Sequence, residues 1–404
     1  MFGNVLVGQS GGPTSVINGS IYGVIEESKS NKDKIDKVYG MINGIEGFLN
    51  GKIIDLQEEL DNIEALKTTP AAFLGSCRYK LPENYTDAVY EMIFDKFQDM
   101  YIKYVLYIGG NDSMDTVNKL SYYAKSHNKD INIIGIPKTI DNDLIITDHT
   151  PGFGSAAKYV ATTVREISLD AEVYDTPSVT IIEIMGRHAG WLTASSVLAR
   201  KFEKDNPSLI YLPEVNFNIE KFLKDIESKL KEKINLVICV SEGIKDKNGK
   251  LICEYSGDAE EDIFGHKNLT GCGKYLANIV KEKFNIKARS IELNVMQRCS
   301  AVTASLTDIN EAVEIGEFGM KMALEGETGK MICSNRINDK IYMLKYYCVD
   351  VGYVCNQEKL FPVNWIIENG TDIHADFLKY VIPLIEGDVH IEKKDGLPIF
   401  CYRK

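Results

Sequence analysis

Continuous β-branched runs that stop abruptly at Gly, Pro, Met or Ser recur along this chain, and they constrain its fold more than any other feature. Val5-Leu6-Val7 ends at Gly8-Gln9-Ser10-Gly11-Gly12, and Tyr104-Val105-Leu106-Tyr107-Ile108 ends at Gly109-Gly110-Asn111-Asp112-Ser113. Ile133-Ile134-Gly135-Ile136 runs into Pro137-Lys138-Thr139-Ile140-Asp141-Asn142-Asp143. Val179-Thr180-Ile181-Ile182-Glu183-Ile184 meets Met185-Gly186-Arg187, and Leu236-Val237-Ile238-Cys239-Val240 meets Ser241-Glu242-Gly243. Such runs belong to strands buried on both faces. Between them lie amphipathic stretches at 14–28, 113–125, 154–170, 218–233 and 269–284. Strand, polar loop and helix in repetition specify βαβ units, hence an α/β fold of parallel sheets flanked by helices. Ligands of such sheets sit outside the carboxyl ends of the strands, where these loops converge.

A length of 404 residues allows two or three domains. Dense punctuation at Thr150-Pro151-Gly152 sets the first boundary, giving lobes over 1–150 and 151–330. The aromatic-rich remainder, 331–404, is expected to pack back on both. A net charge of −12 without a basic tract excludes nucleic acid and anionic membrane surfaces as partners. It leaves anionic small molecules open, since a few converging cations suffice. No apolar run approaches the roughly 18–20 residues of a membrane span. The first eight residues show neither a charged leader nor a long apolar stretch, so no signal peptide is expected. Nine scattered cysteines without a C-x-x-C pair fit reduced thiols in a cytoplasm. His188 and His266 read as structural histidines.

Several loops carry phosphate chemistry. Ser10-Gly11-Gly12-Pro13 is expected to open a helix directly, its glycines letting backbone N–H groups approach a phosphate. Gly109 through Ser113 repeats the arrangement. Beyond the next strand, Asp141 is placed to take a proton from an attacking hydroxyl while Asp143 helps hold magnesium. Lys138 supplies a compact cation for phosphate. Gly152-Phe153-Gly154-Ser155-Ala156-Ala157 matches a dinucleotide fingerprint but follows no strand, so it reads as a helix start.

Taken in order, these loops resemble the phosphofructokinase family over most of residues 5–330. Phe73-Leu74-Gly75-Ser76-Cys77-Arg78 and Met296-Gln297-Arg298 complete the match. The resemblance implies two Rossmann-like lobes, the first for the phosphoryl donor and the second for fructose 6-phosphate. It makes Asp141 the base for the sugar 1-hydroxyl, with Thr139 beside it on the sugar. Met185, Gly186, Arg187, Glu242 and Arg298 match the sugar-phosphate site, and Gly12 and Arg78 the donor-phosphate contacts. Arg289 matches an arginine offered across a subunit interface, which implies a homodimer or homotetramer.

Asp112 and Lys138 each stand where ATP-using members carry glycine, and the pair resembles the pyrophosphate-dependent branch. Both are therefore assigned to the catalytic centre, with Mg²⁺ as the cofactor. Asn111 replaces the usual metal-binding Asp, so the ion is expected at Asn111 and Asp143. A family histidine falls at Val295 and a second interface arginine at Ser178. Effector-binding arginines of bacterial ATP-dependent members fall at Tyr22 and Glu26, so control by ADP is not expected. An ATP-dependent kinase and a non-catalytic regulatory subunit stay open as alternatives.

Overall fold

The computed structural model describes residues 2–256, 271–338 and 341–403. The strands of its two main sheets are β1 (Gly3–Gln9), β2 (Ile35–Met41), β3 (Ile53–Asp55), β4 (Ile102–Gly109), β5 (Asn132–Pro137), β6 (Ser178–Ile184), β7 (Leu209–Tyr211), β8 (Asn235–Ser241), β9 (Lys287–Glu292), β10 (Lys330–Asn338) and β11 (Met343–Asp350). The helices are α1 (Ile17–Ser30), α2 (Gly44–Leu49), α3 (Ala88–Asp99), α4 (Asn111–Ser126), α5 (Phe153–Ala171), α6 (Trp191–Ser195), α7 (Ile219–Leu230), α8 (Cys272–Phe284), α9 (Leu306–Leu324) and α10 (Ala375–Val381).

Seven strands form one sheet in the order β11-β10-β5-β4-β1-β2-β3, and four form another in the order β7-β8-β6-β9. The second is parallel throughout, and the first is antiparallel only at β10/β11 and β2/β3. The expected α/β class is the one observed. Side chains alternate across a strand, and here both faces are covered. Along β4, Val105 and Tyr107 enter one core while Tyr104, Leu106 and Ile108 enter the core opposite. Along β6, Ile182 and Ile184 face one core while Val179 and Ile181 face the other. This two-sided burial is why the sequence runs are continuous rather than alternating.

The chain turns into α5 at Phe153, next to the expected boundary at 150. It returns to the first lobe well before 330, because α9 packs against α1. Glycines permit that close crossing: a Cβ on Gly23 would stand 2.1 Å from the Val313 carbonyl oxygen, and one on Gly316 2.3 Å from that of Ser20. β10 and β11 then extend the first sheet. Farther on, Phe377, Val381 and Leu384 join Phe153 and Trp191 in a second-lobe core. The tail comes back to the first lobe, where the Cys401 amide donates to Thr69 Oγ1 at 2.8 Å.

The first helix begins at Ile17 rather than directly after Pro13. Thr14 is engaged elsewhere, its carbonyl accepting from the Ala71 amide at 3.0 Å. Its side chain also packs where a Cβ on Gly152 would fall, 2.7 Å away. No helix among the described residues is long and apolar enough to cross a membrane.

Candidate active site

Lys138 follows β5 directly and is only 2% exposed. Its ammonium donates to the carbonyls of Ser10, at 3.0 Å, and Gly12. The Gly11 carbonyl accepts from Ser76 Oγ at 2.6 Å. The first glycine loop thus turns the carbonyl oxygens of Ser10 and Gly12 toward Lys138. Gly11 takes a φ of 79°, open to glycine at no steric cost. Burial lowers the Lys138 pKa to about 8, against the pull of Asp141 and Asp143.

A buried amide pair docks the neighbouring loop. Gln9 Nε2 donates to Asn18 Oδ1 at 2.9 Å, Gln9 Oε1 accepts the Leu74 amide at 2.9 Å, and Asn18 Oδ1 accepts that of Phe73 at 3.0 Å. Ser10 Oγ adds a bond to the Cys77 carbonyl at 3.2 Å. These bonds fix the stretch that ends in exposed Arg78 beside the first loop.

Two aspartates flank Asn142, whose φ of 54° turns the chain in the left-handed region that Asn tolerates. The Asp141 amide donates to Thr139 Oγ1 at 3.1 Å, and the Thr139 carbonyl accepts from Thr150 Oγ1 at 2.8 Å. Burial, then the charges of Asp143 and Glu242, push the Asp141 carboxyl up to about 7, with Lys138 and Arg298 opposing. Burial also raises Asp143 and Glu242.

The second lobe supplies the facing groups. Glu242 Oε1 accepts the Gly186 amide and Gln297 Oε1 the Met185 amide, each at 3.3 Å. Arg187 and Arg298 both lower the cost of charge on Glu242. Arg298 reaches the first loop, since a Cβ on Gly12 would stand 3.1 Å from its Nη1. Lys138, Asp141, Asp143, Glu242, Arg187 and Arg298 therefore share one electrostatic field at the facing strand ends.

Other residues singled out in the sequence are not among the groups of that field. The Asp112 side chain is 80% exposed, with Lys80 Nζ 3.5 Å away. Arg289 sits midway along β9, its Nε donating to Thr180 Oγ1 at 3.2 Å and its Nη2 3.5 Å from Asp170. Thr180 is four residues short of Ile184, about 13 Å from the strand end at roughly 3.3 Å per residue. Arg289 thus stands outside the cluster of its own chain. His188, expected to be structural, is exposed, with Nδ1 3.8 Å from Glu358. His266 falls outside the described residues. Lys80 and Lys359 were not singled out by sequence, and no local motif marks them; Gln297 stood inside the Met296-Gln297-Arg298 match without a role assigned to it.

Asn111 Oδ1 and Asp143 Oδ1 are buried with no hydrogen-bond partner. Orphaned oxygens suit a hard cation, which takes oxygen ligands. Among the described residues no group of three or more His, Cys, Asp or Glu could form a protein cage. That sparse donor set fits magnesium, which keeps waters and binds through one or two carboxylates plus substrate phosphates.

Two parallel α/β lobes that pool cations and carboxylates at facing strand ends make this an α/β protein of the phosphotransferase type. The chain belongs to the phosphofructokinase family, which it matches over residues 4–322. It is 40% identical over 399 residues to the pyrophosphate–fructose 6-phosphate 1-phosphotransferase of Halomonas elongata, covering 98% of this chain and 94% of that protein. The crystal structure of the pyrophosphate-dependent phosphofructokinase from Nitrosospira multiformis superposes with a TM-score of 0.90 at 36% identity, covering 100% and 97% of the two chains. That from Marinobacter aquaeolei gives 0.89 at 37% identity, covering 99% and 95%.

Proposed function

We propose that this protein transfers a phosphoryl group reversibly from pyrophosphate to the 1-hydroxyl of D-fructose 6-phosphate, giving fructose 1,6-bisphosphate and phosphate. The observation that carries the reading is Lys138, a buried cation at the junction of the donor loop and Asp141. Relatives matched over nearly the whole chain use pyrophosphate. Asp141 takes the hydroxyl proton as that oxygen bonds to phosphorus and the bridging P–O bond breaks. A carboxyl held near neutrality suits a general base.

Gly12, Arg78 and Lys138 hold the donor phosphates. Thr139, Met185, Gly186, Arg187, Glu242 and Arg298 hold the sugar phosphate. Asn111 and Asp143 would hold magnesium, which when bound neutralises charge on the phosphate oxygens. Asp112 bars the path of a nucleotide.

Arg289 serves the sugar site of a neighbouring copy, in a homodimer or homotetramer. Two features support an interface there: β9 pairs on one side only among the described residues, and Leu169, Val173 and Tyr174 are exposed on the adjoining stretch. No ADP control is expected through Tyr22 and Glu26; the Tyr22 hydroxyl donates to Glu64 at 2.6 Å and Glu26 pairs with Lys29. Nine unpaired cysteines fit the cytoplasm. A coupled assay with pyrophosphate, ATP and no donor tests the reading. Fructose 1,6-bisphosphate formed from ATP but not from pyrophosphate overturns it.

A further inference from the structure

Residues 356–361, between β11 and α10, run across the site from one lobe to the other. At one end Asn111 Nδ2 donates to the Gln357 carbonyl. At the centre the Lys359 amide donates to the Asp143 carbonyl at 2.7 Å. At the other end Trp191 Nε1 donates to the Lys359 carbonyl at 3.0 Å, and the Phe361 amide to Glu214 Oε1 at 2.9 Å. The strap therefore touches the side-chain amide of Asn111 and the backbone of Asp143, two of the residues whose buried oxygens lack partners.

The Lys359 side chain closes the tie. Its ammonium reaches Asn142 Oδ1 at 3.2 Å, the Thr147 carbonyl at 3.2 Å and the Asp148 carbonyl at 2.9 Å. An ammonium has three N–H donors, and three oxygens meet them. It also lies 5.2 Å from the centroid of the Trp191 ring. With its donors engaged, this lysine is a poor ligand for substrate but a strong clamp on the left-handed turn that separates Asp141 from Asp143.

We propose that Lys359 is a positioning residue for phosphoryl transfer, fixing the 141–148 turn to Trp191 and holding Asn111 and Asp143 in register through the strap. This rests on the roles given above to Asp141, Asn111 and Asp143. Positioning is where phosphoryl transfer gains most of its rate, and displacement of about 1 Å can cost on the order of 10².

Lys359→Met should lower kcat by about 10- to 100-fold while leaving the KM for fructose 6-phosphate within about threefold. Hydrogen exchange of the ligand-free protein should quicken in 141–148 and stay unchanged in β1, β4 and β6. Trp191→Phe, which keeps an aromatic side chain but loses the N–H and part of the ring, should move both readouts in the same direction by less. It also carries the test if Lys359→Met does not fold. Activity is measured with whichever donor the wild type uses, so failure with pyrophosphate would refute the proposed reaction and leave the exchange measurement to judge the strap. Wild-type kcat and unchanged exchange in the folded variant would overturn the proposal, as would quickened exchange across all strands.

Discussion

Replacing Asp112 by glycine tests donor choice at one carboxylate. The side chain is 80% exposed and 3.5 Å from the ammonium of Lys80, itself 72% exposed. An exposed pair of this kind contributes about 0–1 kcal/mol, so Asp112→Gly should fold normally. Two unit charges 4 Å apart interact by about 1 kcal/mol in water and about 4 kcal/mol at an effective dielectric of 20. The exposure of Asp112 selects the lower part of that range, about 1–2 kcal/mol of repulsion toward an additional phosphate. At about 1.4 kcal/mol per decade, ATP use should rise roughly 5- to 30-fold, well short of parity with pyrophosphate. The backbone freed by the missing side chain adds room for the nucleotide.

The assay is kcat/KM for each donor with magnesium, followed by coupled consumption of fructose 1,6-bisphosphate. Lys138→Gly belongs in the same series, since it should depress turnover with pyrophosphate and leave Asp112 in place. A folded Asp112→Gly enzyme whose ratio of ATP to pyrophosphate use stays within twofold of wild type would refute the reasoning. A complete switch to ATP would show instead that the carboxylate is desolvated when donor binds.

Asp141→Asn should lower turnover on the order of 10²–10⁴. Because the folded carboxyl is raised, its charge opposes folding above the ordinary carboxylate range, so the variant should unfold no earlier than wild type at pH 8. Near-normal turnover would remove Asp141 as the base. His149 lies between Asp148 Oδ1 at 2.8 Å and Glu311 Oε2 at 2.6 Å. Burial lowers its pKa, but those carboxylates override that and bring it from 6.5 to about 9. A raised histidine stabilises fully below its unfolded pKa and loses that contribution as pH rises through the folded one. His149→Gln should therefore cost about 3 kcal/mol at pH 6 and little at pH 9.5 in urea unfolding, and an equal cost at both would contradict the assignment. Arg289→Ala should raise the KM for fructose 6-phosphate about tenfold or more, the loss of a charged hydrogen bond. An unchanged KM, or an active monomer in sedimentation, would remove Arg289 from a shared site.

The strands at the centre of each sheet were legible because their neighbours bury them on both faces. Those at the margins were not: β2 reads Ile-Asp-Lys-Val-Tyr-Gly-Met, and only part of it is buried. β11 is nowhere fully buried, so nothing in its sequence demanded a sheet. The early return to the first lobe was hidden for another reason. It depends on Gly23 meeting Val313 and Gly316 meeting Ser20 across α1 and α9, and helix packing between distant segments leaves no local pattern. The same holds at the site. Lys138 and Asp141 stood out as neighbours in one loop, whereas Lys359 meets Asn142 across 217 residues of chain.

The first loop also sets how Lys138 carries its charge. Had Lys138 been paired with Asp141 or Asp143, an arriving phosphate would have had to break an ion pair. Instead its ammonium rests on two neutral carbonyls, and the carboxylates influence it only through space. Carbonyl oxygens hold the cation in place without cancelling its charge, so the full charge remains available to an anion. Meanwhile Asp141 is crowded by two like charges and pushed toward the protonated form. An incoming magnesium ion on Asn111 and Asp143 would remove one of those charges from the balance and favour the ionised base. On the proposed roles, the socket of Ser10 and Gly12 would preserve positive charge for the donor, while the crowded carboxylates would hold back negative charge on Asp141.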